Sequence, residues 1–388
     1  MPRRTKPKYQ LPRRRRKKGR GAGLLSLAIP ALIVVVAFWF WHRNEQSPKQ
    51  IPSPTPARTP ASTPPPAASS ATAPAQLPPT APAAAKPQVQ PPTLPGPPPA
   101  DVPRPARDVV LEAQIALARR GISPGVIDAA IGSQTRAAIS VFQETQHLPQ
   151  TGRLDADTRA RLTLDAPMLT NYLVTTNDLA QLQPLGKTWL AKSQQSALAY
   201  ETELELVAEK SHSNPLLILK LNPNVTWTNI TAGTVLKIPD VKYPEPANRA
   251  AFVIIHLSQK FLEAFDDNTN LLAHFPCSIA AKVEKRPVGE LHVIVLAPNP
   301  NYTVNPDLFP ESAELQALGH KLILLPGPNN PVGVAWIGLD RPGYGIHGTP
   351  VPELVGRTES HGCFRLANWD AEYLIKLVWV GMPVFVEP

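Results

Sequence analysis

A long proline-rich segment near the N-terminus limits how much of this chain can fold. Pro48 to Pro105 holds 21 of the 48 prolines, among alanine, serine, threonine and glutamine. Such a composition cannot bury enough apolar surface to offset the conformational entropy that ordering costs. We therefore predict a disordered linker over 42–105, extended in polyproline II conformation, that acts as a semi-rigid spacer. Binding of the proline runs to SH3 domains is less favoured, because those partners are mostly cytoplasmic.

An uncharged stretch of twenty residues, 22–41, precedes this linker. A helix of that length spans about 30 Å, the thickness of the hydrocarbon core of a bilayer. The four consecutive aromatic residues at 38–41 are typical of a membrane interface. We predict a single transmembrane helix over 22–41. A cleaved signal peptide is the alternative, which the length of the apolar run and the lack of a nearby small-residue cleavage site disfavour.

The positive charge of the chain is concentrated at its N-terminus. The formal net charge is +9, but residues 1–20 contain eleven lysines and arginines and no acid, so the other 368 residues carry −2. This distribution argues against a broad basic face for nucleic acid and leaves a basic tail, 1–21. Beside a transmembrane helix, such a tail predicts a cytoplasmic N-terminus, with the rest of the chain outside the inner (cytoplasmic) membrane, in the periplasm. A DNA-binding arm is the weaker alternative.

Compact folding is predicted to begin near residue 106 with three short helices. Apolar spacing and stop signals place one near 107–120, a second from Ser133 and a third capped by Asp155. The stretch 121–162 resembles the peptidoglycan-binding domain family, whose pattern is G…DG-x-x-G-x-x-T…FQ…G-x-ld-x-x-T, with Ala129 in place of a glycine. The resemblance implies a wall-binding domain over 106–166. The alternative is a small helical unit that binds nothing.

A second small module is predicted over 196–241. A helix-like run, TELELVAEK, is followed by Asn222-Pro223 and then by the segment 233–239. This order resembles a degenerate LysM module, in which Glu201-Thr202-Glu203 replaces the opening Gly-Asp-Thr turn. The resemblance implies a small α+β module, and both glycan binding and a spacer role stay open for it. Residues 167–195 carry no clear pattern and are predicted to be a connector.

The C-terminal part of the chain, 248–388, has the pattern of a β domain. Short runs rich in valine, isoleucine and leucine are separated by clusters of proline, glycine and asparagine. Strands at this spacing are typical of a sandwich or a barrel. A helix over 368–380 and a last strand over 383–386 complete the prediction. The whole chain is therefore expected to be multidomain, with a mainly-β C-terminal domain.

The segment 343–371 concentrates reactive side chains. Cys363 becomes a strong nucleophile once an imidazole or oriented amides stabilise its thiolate. On an extended strand His361 would share the face of Cys363, and His347 could approach from the preceding segment. Gly362 would let a substrate backbone approach the sulfur, and its amide is a candidate donor to an oxyanion. These residues predict a nucleophilic cysteine site.

Two short motifs in this segment resemble the L,D-transpeptidase (YkuD-type) catalytic domain, whose signature is HG(T/A)…(S/T)HGC-x-(R/N). They are Ile346-His347-Gly348-Thr349 and Ser360-His361-Gly362-Cys363-Phe364-Arg365. Supporting segments follow the family's order: 286–290 resembles TPxG, 326–333 resembles PGPxNPLG, and 369–371 resembles the start of the helix after the cysteine. The resemblance covers about residues 249–388 and implies acyl transfer on the stem peptides of peptidoglycan.

The resemblance also implies a role for each matching residue. Cys363 would attack the carbonyl between the L-centre of diaminopimelate and D-alanine, releasing D-alanine and forming a thioester that an amine resolves. His347 would be proton donor and acceptor, His361 would orient the site, and the Gly362 amide would bind the oxyanion. The residues implied in substrate binding are Gly348, Thr349, Ser360 and Arg365. For Arg365, which would hold a carboxylate, a structural ion pair is the alternative.

Two cysteines are too few for a disulfide framework or a cysteine-based zinc site. We expect Cys277 to be buried filler, as a lone cysteine in a β domain usually is. A Cys277–Cys363 disulfide is the alternative outside the cytoplasm, but it would silence the nucleophile. His347, His361 and Cys363 are zinc-compatible ligand types, but Glu359 is the only carboxylate beside them. No metal and no other cofactor is therefore predicted.

These patterns together predict a membrane-anchored L,D-transpeptidase that serves cell wall biogenesis and cell shape. Its partners would be the stem peptides and glycan of peptidoglycan, with a lipoprotein lysine as a second kind of acceptor amine. One alternative is an L,D-carboxypeptidase or endopeptidase of the same fold, in which water resolves the thioester. Another is a non-catalytic tether that only binds peptidoglycan.

Overall fold

The structure is a computed structural model that describes residues 106–358, 360 and 362–388. The predicted basic tail, transmembrane helix and proline-rich linker lie outside the described residues, and so do Glu359 and His361. Within the described part of the chain, no helix combines the length and the apolar character needed to cross a membrane.

The first described unit consists of three helices. They are α1 (Ala106–Ala118), α2 (Ser133–Thr145) and α3 (Ala156–Arg161). Ala138, Ile139 and Phe142 of α2 pack in a core with the apolar face of α1. Asp155 caps α3, because its carboxylate accepts a hydrogen bond from the Thr158 amide at 2.9 Å. The predicted three-helix unit is confirmed.

The second unit combines four short helices with two strands. They are β1 (Leu169–Leu173), α4 (Thr176–Ala180), α5 (Trp189–Ser193), α6 (Glu203–Lys210), α7 (Pro215–Leu221) and β2 (Val235–Pro239). The two strands pair antiparallel, so β1, from the stretch 167–195 that sequence analysis left without an element, completes the sheet of this unit. Asn222 joins α7 to β2, because its side chain exchanges two hydrogen bonds with the Lys237 backbone at 2.7 and 2.8 Å.

The C-terminal unit is built on one large sheet. Its elements are β3 (Phe252–His256), β4 (Phe261–Phe265), β5 (Leu271–Pro276), β6 (Gly289–Pro298), β7 (Tyr302–Val304), α8 (Ala313–Leu318), β8 (Leu322–Leu324), β9 (Ala335–Leu339), β10 (Gly345–His347), β11 (Phe364–Arg365), α9 (Asn368–Leu377) and β12 (Pro383–Glu387). Eight strands pair in the order β11-β10-β9-β6-β12-β3-β4-β5, and β7 pairs with β8 separately. Two of the neighbouring pairs, β10 with β11 and β12 with β3, are parallel.

This sheet curls back on itself. Directly after β5, Ser278 exchanges two backbone hydrogen bonds with Arg365 of β11, at 2.8 and 2.9 Å, although β5 and β11 are the two edges of the sheet. A core of strand residues and α9 fills the interior. The predicted mainly-β domain is confirmed, as an eight-stranded curled sheet with the separate β7–β8 pair. Helix α9 ends at Leu377, because the Val378 backbone is already extended.

The three-helix unit packs directly on the curled sheet. The Ser123 amide donates to the His274 carbonyl at 2.8 Å, and the His274 amide donates to the Gly121 carbonyl at 3.0 Å. The Ser123 hydroxyl donates to the buried Asp370 carboxyl of α9 at 3.2 Å, and the Tyr243 hydroxyl donates to its other oxygen. Polar contacts between buried groups therefore hold the helical unit against the β domain.

Candidate active site

Two parallel strands place Cys363 and His347 on one face of the sheet. Ile346 of β10 pairs with Phe364 of β11, and both side chains are buried in the core with 1 % exposure. Because side chains alternate along a strand, the neighbours of these two residues point to the opposite face. Cys363, directly before β11, and His347 are therefore diagonal neighbours on that face, and Arg365 is the register partner of His347.

The His347 ring is held in one tautomer. Its Nδ1 donates to the Gly348 carbonyl at 2.6 Å, which leaves Nε2 as the nitrogen with a free electron pair. Burial lowers the pKa of the imidazole to about 4, with the Arg365 charge acting in the same direction and the Gly348 hydrogen bond opposing it. His347 is therefore neutral at pH 7 and able to accept a proton.

The Cys363 sulfur is half-buried and carries its proton. Burial raises the pKa of the thiol, while the Gly345 amide and the Arg365 charge lower it. The thiol donates to the Gly343 carbonyl at 3.4 Å, and within the described residues no hydrogen bond joins it to His347. A neutral thiol beside a neutral imidazole requires that the base remove the proton as the reaction begins.

Ser360 organises the loop that carries the cysteine. Its hydroxyl donates to the Cys363 carbonyl at 2.5 Å and accepts from the Gly362 amide at 3.2 Å. Ser360 is buried with 6 % exposure, and its predicted contact with substrate stays a prediction. The Gly362 amide, predicted as an oxyanion donor, is likewise engaged with Ser360 in this structure. His361 lies outside the described residues.

Gly348 is buried, and its neighbours leave no room for a side chain. A Cβ atom at this position would overlap the Asn368 side-chain oxygen and lie 3.2 Å from the Gly333 Cα. Its carbonyl orients the His347 ring, and its predicted contact with substrate stays a prediction. Thr349 is also buried, with 6 % exposure, and lines the pocket beside the site.

That pocket has a volume of about 250 Å³ and extends from Arg365. Of the described residues that line it, two are cations and none is a carboxylate. One cation, Lys192, comes from α5 and was missed by sequence analysis, because nothing in its local sequence relates it to the cysteine motif. The lining residues are Lys192, Ser278, Asn329, Pro331, Thr349, Pro350, Val351, Leu354, Val355, Thr358 and Arg365.

Comparison with known families identifies the curled sheet. Residues 250–386 match the model of YkuD, the L,D-transpeptidase catalytic domain, and residues 106–162 match that of a peptidoglycan-binding domain. Residues 250–386 form an L,D-transpeptidase catalytic domain. The cysteine chemistry of this family agrees with the site described above, and the LysM-like resemblance of 196–241 stays a prediction.

Relatives named as L,D-transpeptidases match the same region. The Bacillus licheniformis protein named YkuD is 24% identical over 185 residues, which cover 48% of this chain and 93% of the relative. The Escherichia coli K12 protein named YbiS is 29% identical over 171 residues, which cover 43% of this chain and 54% of the relative. Among solved structures, L,D-transpeptidase 3 of Mycobacterium tuberculosis has a TM-score of 0.29 at 17% identity, covering 41% of this chain and 77% of its own. The L,D-transpeptidase of Xylanimonas cellulosilytica has a TM-score of 0.32 at 15% identity, and the match covers 72% of this chain and 92% of that one.

Three further residues of the L,D-transpeptidase domain belong to the site and were missed in the sequence. The Gly345 amide stabilises the thiolate of Cys363. Burial raises the pKa of the Tyr302 phenol in β7, and a negative charge on Cys363 would raise this pKa further. Asn368, at the start of α9, packs on Gly348. Gly345 could have been found in the sequence, because it lies two residues before His347. No local pattern relates Tyr302 to the cysteine motif.

The two cysteines of the chain differ sharply in environment. Cys277 is fully buried, and burial raises the pKa of its thiol far above the usual range. Both cysteines are free, so no disulfide joins them. The prediction that Cys277 is buried is confirmed, and Cys363 is the cysteine that is partly exposed.

Proposed function

We propose that Cys363 is the nucleophile of this L,D-transpeptidase and that it joins peptidoglycan stem peptides by acyl transfer. The observation that carries the proposal is the shared face of the Cys363 thiol and a neutral His347 whose Nδ1 is tied to the Gly348 carbonyl. This tautomer leaves Nε2 as the acceptor for the thiol proton.

The reaction follows from these groups. His347 takes the proton from Cys363, and the thiolate attacks the carbonyl between the L-centre of diaminopimelate and D-alanine. The tetrahedral intermediate collapses with cleavage of the C–N bond, and His347 returns the proton to the departing D-alanine amine. An acceptor amine then attacks the thioester, losing its proton to His347, and the sulfur leaves and is reprotonated.

The pocket beside Arg365 supports recognition of an anionic peptide. Two cationic side chains, Lys192 and Arg365, line it without a carboxylate among the described lining residues. Stem peptides carry carboxylates, which guanidinium groups bind with two parallel hydrogen bonds. We assign Arg365 to a substrate carboxylate. A structural ion pair of Arg365 is the competing role.

The location of the enzyme is proposed from the N-terminal sequence. The apolar stretch 22–41 behind a basic tail supports a single-pass anchor in the inner membrane with the catalytic domain in the periplasm. The proline-rich linker would let the catalytic domain reach the wall, and the peptidoglycan-binding domain would hold it there. This arrangement suits wall biogenesis and cell shape, with a stem peptide or a lipoprotein lysine as acceptor.

The full chain in detergent, incubated with disaccharide-tetrapeptide and analysed by mass spectrometry, tests the proposal. A crosslinked dimer that has lost D-alanine supports transfer, whereas tripeptide alone indicates the hydrolase and no product indicates the tether. Cys363→Ala is expected to abolish product, and Cys277→Ala serves as the matched control. Product formation by Cys363→Ala would refute the assigned nucleophile.

A further inference from the structure

The catalytic histidine is connected to a residue outside the L,D-transpeptidase domain. Asn368 of α9 donates from Nδ2 to the Glu209 carboxyl of α6 at 2.8 Å and to the Pro328 carbonyl at 3.1 Å. Its Oδ1 accepts from the Val334 amide at 3.3 Å. With 1 % exposure, Asn368 is fixed in one orientation by these three contacts.

This orientation matters because Asn368 packs on the backbone next to His347. Its Oδ1 fills the space beside the α-carbons of Gly333 and Gly348, where a Cβ atom on either glycine would overlap it. The two glycines also contact each other, since a Cβ atom on Gly333 would lie 2.7 Å from the Gly348 Cα. The position of the Gly348 carbonyl, and with it the hydrogen bond to His347 Nδ1, therefore depends on Asn368.

We propose that Glu209, in α6 of the second unit, is a positioning residue for His347 that acts through Asn368 and Gly348. Without an acceptor at position 209, the Asn368 amide loses one of its two acceptors and the Gly348 carbonyl loses its lateral support. The inference rests on the proposed function only through the role of His347 as base. If the inference holds, the second unit contributes a positioning residue to catalysis and is more than a separate wall-binding module.

The interaction needs an acceptor and does not need a charge. Burial raises the pKa of the Glu209 carboxyl to about 8, with the carboxylates of Glu205, Glu353 and Glu372 adding to the shift and the Asn368 hydrogen bond opposing it. A protonated carboxyl still offers its carbonyl oxygen to Asn368. A glutamine at this position keeps that acceptor, whereas a leucine of similar volume removes it.

The experiment compares Glu209→Leu and Glu209→Gln in the full chain. Turnover of disaccharide-tetrapeptide is expressed per mole of folded protein, with the folded fraction taken from urea unfolding. We expect Glu209→Leu to lower kcat about tenfold with little change in KM, because a small displacement of a catalytic base costs that much. Glu209→Gln is expected to restore kcat to within about twofold of wild type. Glu203→Ala is the matched control, because Glu203 lies on the same helix and its side chain has no hydrogen bond or ion pair with another residue that the structure describes.

Two further measurements keep the outcome decisive. The alkylation rate of Cys363 and the ¹⁵N shifts of the His347 ring report the base without turnover, and both are expected to change in Glu209→Leu. Asn368→Ser breaks the same connection from the other side if Glu209→Leu does not fold. Wild-type kcat in the folded leucine variant, wild-type kcat in Asn368→Ser, or equal losses in leucine and glutamine variants would overturn the inference. Absence of crosslinked product from the wild type would instead refute the proposed function.

Discussion

The side-chain oxygen of Asn368 occupies the space into which a Cβ atom on Gly348 would project. On the other side the Gly333 Cα lies 3.2 Å from that position. Packing therefore requires a glycine after His347, and the carbonyl of this glycine accepts the His347 Nδ1 hydrogen bond.

Gly348→Ala is expected to lower kcat about tenfold or more and to destabilise the protein by about 1–3 kcal/mol, because the backbone or Asn368 must shift to admit the methyl group. Turnover and urea unfolding measure the two effects. Gly132→Ala is the control, since its Cβ would meet nothing within 4 Å. If Gly348→Ala and Gly132→Ala had the same turnover and stability, the contact between Asn368 and Gly348 would tolerate the added methyl group.

The raised pKa of the Cys363 thiol predicts slow alkylation at neutral pH. The rate with iodoacetamide should rise with pH and reach its midpoint above the value of about 8.5 typical of a free cysteine. Since the Arg365 charge lowers this pKa, Arg365→Gln should move the midpoint to higher pH, and Arg365→Lys should leave it nearly unchanged. Mass spectrometry of the Cys363 peptide gives the rates. A midpoint that does not move in Arg365→Gln would contradict this electrostatic role.

The lowered pKa of His347 predicts that kcat/KM falls only at unusually low pH. The ring must be neutral to accept a proton, and it stays neutral until the pH falls to about 4. We therefore expect kcat/KM to decline through about pH 4 and not through the range near 6.5 of an ordinary histidine. Initial rates from pH 3.5 to 8 measure this decline. A decline centred between pH 6 and 7 would show that this histidine is more exposed to solvent than its contacts indicate.

Burial of Asp370 predicts a loss of stability as the pH rises. Burial raises the pKa of this carboxyl to about 7, whereas in the unfolded chain it is about 3.9, so the folded state holds the proton more tightly. Its contribution to stability is complete below about pH 4 and declines towards pH 7, by about 1.4 kcal/mol per pH unit. The asparagine in Asp370→Asn cannot lose a proton. In urea unfolding, the free energy of unfolding of this variant should therefore rise relative to that of the wild type as the pH increases across this range. The exposed Asp267→Asn is the control, and parallel curves for Asp370→Asn and wild type would refute the assignment.

Patterns that depend on neighbouring residues were readable in the sequence. The cap at Asp155, the buried face of α2 and the last strand were predicted because capping and side-chain alternation involve residues a few positions apart. The reactive pair was readable for a related reason: His347 and Cys363 lie sixteen positions apart in two short motifs. Strand β1 was missed, because its partner β2 is more than sixty residues away.

Contacts between distant segments changed the interpretation of several site residues. Ser360 and Gly348, which the sequence predicts to bind substrate, also support the cysteine loop and the His347 ring. Lys192, which lines the pocket, and Glu209, which contacts Asn368, both belong to the second unit, and no local pattern connects them with Cys363.

The amino-acid sequence alone determined the β character of the C-terminal domain and the three-helix unit before it, and it predicted which side chains would react. Only the tertiary structure decided which nitrogen of His347 is free, whether the Cys363 thiol is ionised, and which residues hold the Gly348 carbonyl in place. The physical reason is that tautomer, protonation and orientation depend on burial and on hydrogen bonds, and these arise where strands and helices far apart in the chain come together.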